Sequence, residues 1–126
     1  MKRAAVTILL GLAAGAMSWG VVSLVSERFE PFDSDAGLII GQSLLSVVAF
    51  LIGFRWGLVQ LAIFVPSAYA GMNAYCYAFG GSEHRVWIVF SLILTQLLVI
   101  IPLLAGLLGK LARVVIQQLS RKKALS

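Results

Sequence analysis

The chain has 126 residues, 60% of them hydrophobic and only 12% charged, with a mean hydropathy of +0.98. A soluble domain carries roughly 25% charged residues, and a small globule has the most surface to cover for its volume, so this composition excludes a soluble domain. The net charge of +5 would suggest nucleic acid in a soluble protein; here its distribution makes membrane lipids the expected partner and nucleic acid none.

The fifteen charged residues fall in clusters that leave four uncharged segments, 4–25, 36–54, 56–79 and 86–108, of 22, 19, 24 and 23 residues. A helix needs about 20 residues to cross the hydrocarbon core, so each is long enough. The pattern predicts an all-α membrane protein, a single domain over 1–126 built as an antiparallel bundle of four transmembrane helices. The first span follows Met1-Lys2-Arg3. That basic start, the apolar run and Ala14-Gly15-Ala16 resemble a cleavable signal, but the run continues to Val25, and we expect it to be kept as a span. The link at 26–35 is the longest polar connection, and Pro31 keeps it from continuing the first helix. Gly53-Phe54-Arg55-Trp56-Gly57 reads as a tight turn between the second and third spans, and 80–85 as a short loop. Trp56 and Trp87 suit the membrane interface. Beyond Leu108, residues 109–123 read as an amphipathic helix lying along the cytoplasmic interface. Leu111, Val114, Val115 and Leu119 share one face, and Lys110, Arg113, Gln117 and Arg121 the other.

Orientation follows from the basic residues. With an N-in/C-in arrangement, eight of the ten Lys and Arg lie inside: Lys2, Arg3, Arg55, Lys110, Arg113, Arg121, Lys122 and Lys123. Only Arg28 and Arg85 lie outside, a strong positive-inside bias. Both termini are therefore expected in the cytoplasm of a cell with this protein in its plasma membrane, a bacterial inner membrane in our reading. All five acids fall outside, at Glu27, Glu30, Asp33, Asp35 and Glu83. Cys76 is the only cysteine, so no intrachain disulfide is available.

Each span carries small or polar residues at helical spacing. Gly11 and Gly15 mark the first, Gly37, Gly41 and Gln42 the second, Gln60 and Gly71 the third and Gln96 the fourth. Small residues let membrane helices approach closely, and buried amides find partners across helices, so these eight are the expected packing residues. No Asp, Glu, Lys, Arg or His lies within the spans. Intramembrane ionisable groups usually mark proton relays and ion paths. The size suits small multidrug transporters, but their first-helix carboxylate is missing. It also suits small fluoride channels, but their helix motifs are missing, and a haem-anchoring subunit would need an intramembrane His. The sequence implies no cofactor, no metal and no enzymatic activity.

The densest group of unusual residues lies between Tyr69 and Arg85. Tyr69, Asn73 and Tyr77 are spaced one turn apart, and Glu83 and Arg85 follow, so these five form the expected partner-binding surface. The functional expectation is a non-catalytic membrane interaction protein. It would be an accessory subunit or an inhibitor of the immunity-protein type, binding another integral membrane protein or itself. The alternative is a small homo-oligomeric channel or transporter.

Overall fold

A computed structural model describes residues 1–126 apart from the side chain of His84, the one residue of the 69–85 segment that lies outside the described side chains. Helix makes up 91% of the chain, and no strand occurs among the described residues. The elements are α1 (Lys2–Val25), a 3₁₀ turn (Pro31–Asp33), α2 (Asp35–Trp56), α3 (Leu58–Phe79), the short α4 (Gly81–Val86) and α5 (Ile88–Leu125). Three helices, α1, α2 and α5, are long and apolar enough to cross a membrane, which marks a membrane-associated protein. At 22 residues α3 has the length, but Gln60, Ser67, Asn73 and three tyrosines dilute its apolar character. Its place explains this: α3 packs against α1, α2 and α5, so its polar groups other than the exposed Tyr77 meet protein.

The local chemistry accounts for the breaks. Ser34 caps α2, its hydroxyl accepting from the Gly37 N–H at 3.1 Å. Between α2 and α3 the connection shrinks to Gly57 alone, at φ 88°, a conformation that side-chain-bearing residues rarely adopt. The segment 80–85, expected as a loop, is mostly helical because α4 starts directly after Gly80. The basic tail is helical, as its amphipathic spacing led us to expect. Nothing near Leu108 interrupts the hydrogen-bond ladder, and α5 runs unbroken for 38 residues, roughly 57 Å at 1.5 Å per residue. The tail is thus the continuation of α5 and no separate element.

Helices meet through small residues. A Cβ added at Gly15 would overlap the Ala68 carbonyl, and one at Gly71 the Leu12 carbonyl, so α1 and α3 touch backbone to backbone. Gly53 and Gly109 do the same between α2 and α5, against the Gly106 and Phe50 carbonyls. Such approach is how membrane helices gain packing energy without a hydrophobic drive. Phe64, Leu45, Leu61 and Met72 fill the space between.

The two ends differ in charge. The basic end holds Arg3, whose guanidinium lies over the Trp56 ring at 5.9 Å, and Arg113, which donates to the Arg55 carbonyl at 2.9 Å and the Phe54 carbonyl at 3.3 Å. Those carbonyls are orphans of the α2 C-terminus, where a cation also complements the helix dipole. The acidic end carries the 26–35 link and α4.

Candidate functional site

The acidic end holds a partly open cavity of about 230 Å³. Its lining comes from every part of the fold except α2: Trp19 from α1, Glu30 and Phe32 from the link, Cys76 from α3, Glu83 from α4, then Trp87, and Phe90, Ser91, Leu94 and Thr95 from α5. The link is held in place by its aromatics. Phe29 meets Trp19 edge-on at 5.7 Å and stacks on Tyr75 at 5.8 Å, and Tyr75 meets Phe79 at 4.8 Å. Each such ring pair adds about 0.5–1.5 kcal/mol to the burial it accompanies. Pro31, buried within the 3₁₀ turn, fixes the chain on the far side of Glu30.

Beneath the cavity α3 and α5 are joined by a closed polar network. Asn73 donates through Nδ2 to the Thr95 hydroxyl at 2.9 Å and to the Tyr69 carbonyl at 2.9 Å. The Ser91 hydroxyl donates back to Asn73 Oδ1 at 3.2 Å, and Thr95 donates to the Ser91 carbonyl at 2.7 Å. Asn73 and Thr95 are both buried, and every one of their polar atoms has a partner. A fully connected network of this kind fixes one register between two helices. It also sets Ser91 and Thr95, one turn apart on α5, into the cavity lining.

The five residues expected to form one surface divide. Asn73 points into the bundle and belongs to the network, while the Tyr69 hydroxyl donates to the Leu92 carbonyl on α5. Tyr77 is exposed and pairs with Arg85, whose guanidinium lies 5.2 Å from the ring centroid and whose Nε donates to the Tyr77 carbonyl at 3.1 Å. Glu83 is exposed and lines the cavity. A step of four residues advances 40° around a helix, so Tyr77 is rotated about 80° from Tyr69. That drift separates residues which spacing alone had put on one face.

The expected packing residues also divide. Gly11, Gly15, Gly41 and Gly71 stand where a Cβ would meet the neighbouring helix's backbone, and a Cβ added at Gly37 would come within 3.0 Å of the Val22 side-chain carbons. The Gln60 side-chain oxygen lies 2.7 Å from the Thr7 hydroxyl. By contrast, the Gln42 Oε1 is buried without a partner, and Gln96 stands exposed on α5.

Sequence reasoning did not assign Trp19, Phe32, Phe90, Ser91 or Thr95 to the site. Only Glu30 and Glu83 carried a hint, as acids gathered at one end. Ser91 and Thr95 at i, i+4 facing Asn73 and Cys76 was the pattern that pairs α3 with α5. Among the described residues no group of three or more His, Cys, Asp or Glu gathers as metal ligands. No protein-family model matches the chain, and no curated protein or solved structure matches it.

Proposed function

We propose that the chain is a four-span, antiparallel membrane protein with both termini in the cytoplasm, acting without catalysis by binding a membrane-embedded partner at its acidic end. Contact registers support the span order: Thr7 meets Gln60 and Gly20 meets Tyr75, whereas Ser18 meets Gly41 and Val22 meets Gly37. The first pair of contacts runs α1 and α3 in the same direction; the second opposes α1 and α2. In this arrangement the acidic end faces outward and the basic end meets anionic lipid headgroups, as the positive-inside bias requires.

One observation carries the functional reading. The best-placed polar groups of the spans, Asn73, Ser91, Thr95, Thr7 and Gln60, bond to one another within the chain. The unpartnered polar groups on α2, Gln42 Oε1 and Ser46 Oγ, span a single turn and make no path along the bundle, which favours an interaction protein over a channel. What remains outward-facing is the Tyr77–Arg85 pair beside Glu83, an aromatic and charged rim of the kind that dominates binding energy. Such a protein fits the role of an accessory subunit or an immunity-type inhibitor.

The test is photocrosslinking in intact cells from positions Tyr77 and Arg85, with exposed Leu97 as a lipid-facing control. A discrete protein adduct from the first two and none from the third is the expected result. Absence of an adduct, together with ion flux through proteoliposomes of the purified protein, would favour the homo-oligomeric channel instead.

A further inference from the structure

The exposed face of α5 continues past the end of its apolar span. Leu104, Leu108, Leu111 and Val115 follow one another at steps of four, three and four residues, and each is about half exposed, from 44% at Val115 to 59% at Leu108. Such alternating steps keep side chains in one stripe along a helix. Leu104 and Leu108 belong to the uncharged segment 86–108, where lipid can cover them. Leu111 and Val115 lie past Lys110, the first charge after that segment, and the chain leaves them half bare.

The tail is held in line with the bundle. A Cβ at Gly109 would overlap the Phe50 carbonyl, and Arg113, one turn further on, donates to the Phe54 and Arg55 carbonyls. Contacts on two successive turns fix the direction in which α5 leaves α2, and the helix then continues to Leu125. Val115 therefore stands about 10 Å beyond Leu108 along the axis, and the stripe does not fold down onto a bilayer surface. The cations agree. Lys110, Arg113 and Arg121 lie more than about 100° around the helix from the stripe, turned away from anything the stripe rests on.

Charge also decides what the stripe can meet. It carries none until Lys122, seven residues beyond Val115, ends it. Its complement is an apolar ridge, and two copies of this chain can offer one to each other without opposing Lys110, Arg113 or Arg121. In a heptad Leu104 and Leu111 fall at d, and Leu108 and Val115 at a. Leucine at d suits a parallel pair, and so does the β-branched Val115 at a. Copies inserted in one orientation are already parallel and bring the same residue to the same depth, as a two-fold contact requires. Part of the orientational cost of association is thereby removed in advance.

We infer that a second copy of this chain docks on α5 along Leu104, Leu108, Leu111 and Val115. Two straight helices that cross at about 20° part on either side of their contact. With the crossing at Leu111, Leu97 is about 21 Å away and the axes there are about 7 Å further apart, so Leu97 keeps its lipid. The rim at Tyr77 and Arg85 lies at the other end and stays open. The inference rests on the membrane-spanning reading only for where the bilayer ends.

The experiment uses the full chain in proteoliposomes, with Cys76→Ser removing the native cysteine. Single cysteines at Leu111, Val115 and Gln117 are oxidised under the same mild conditions. Gln117 is the control, because it is exposed at the same depth on the opposite face. Leu111→Cys and Val115→Cys should give at least tenfold more covalent dimer than Gln117→Cys. Adding Leu111→Lys to the Val115→Cys protein places like charges in the seam and should lower its dimer at least fivefold. Leu111 is exposed, so the melting temperature of that variant should stay at the parent value. Equal crosslinking at the three positions, or a Val115→Cys dimer indifferent to Leu111→Lys, would overturn the inference. So would a bimane label on Val115→Cys quenched by spin-labelled headgroups with no dimer formed, which would lay the tail on the bilayer, or a foreign protein crosslinked there in cells in place of the copy. None of these readouts involves Tyr77 or Arg85, so the rim and the stripe can fail separately.

Discussion

At the basic end, Gly53, Gly106 and Gly109 bring α2 and α5 together until backbone meets backbone. At the acidic end Trp19, Phe32, Trp87 and Phe90 stand around a cavity of about 230 Å³ instead. The basic end is closed by backbone acceptors: Arg113 caps two α2 carbonyls, and Gly57 turns the chain within a single residue. The acidic end is closed by side chains, with Phe29 pinned between Trp19 and Tyr75. Where glycines remove the side chains, no volume is left for a ligand. Where large rings keep the helices apart, polar groups from four parts of the chain can converge. Close packing and open space are thereby separated to opposite ends of one small protein.

The largest effect is expected at the glycine seam. Gly53→Leu drives a side chain into the Gly106 carbonyl, and overpacking where backbone cannot yield should cost about 3 kcal/mol or more. Thermal unfolding in detergent and the monodisperse fraction on gel filtration measure it. A wild-type melting temperature would mean that the basic end is not closed in the way described.

A smaller effect is expected where the acidic end is stabilised by hydrogen bonds. Asn73→Leu removes three of them and should cost about 1.5 kcal/mol, near the upper limit for polar pairs between membrane helices. Thr95→Val should cost less alone, and the double variant should show coupling. Strict additivity of the two would separate these residues and break the network.

The smallest effect sharpens the point that a buried amide stabilises only when paired. Gln42 follows Gly41 on α2, and its buried Oε1 has no partner. Gln42→Leu should therefore change stability by less than about 0.5 kcal/mol or raise it, because an unpaired polar atom is removed and no bond is lost. A loss comparable to Asn73→Leu would assign Gln42 a partner on another molecule.

Much of the architecture was legible in charge spacing alone. The uncharged segments 4–25 and 36–54 coincide closely with α1 and α2, because charges are excluded from where helices are apolar all round. The uncharged segment 56–79 coincides with α3 in the same way, although its polar content resembles that of a helix buried in protein. The 80–85 segment misled because two adjacent glycines look like a loop, when only Gly80 and Gly81 are needed for the turn and the next residues are free to coil into α4. The site was largely illegible. Trp19, Glu30 and Ser91 lie far apart in sequence, and only the packing of α1, the link and α5 around α3 brings them to one cavity.

The unbroken course of α5 has a mechanical consequence. Its tight contacts with α2 fall at Gly106 and Gly109. About 27 Å of helix lies on one side of that point, reaching Ile88, and about 24 Å on the other, reaching Leu125, taking 1.5 Å per residue. The helix is thus held near its middle, with nearly equal lengths on either side of the glycine contacts. Phe90 and Ser91 ride on one arm, in the cavity wall, and Arg121, Lys122 and Lys123 on the other. Pro102, on the cavity side of that point, has no N–H to give to the Leu98 carbonyl, so that arm has a built-in place to bend which the basic arm lacks.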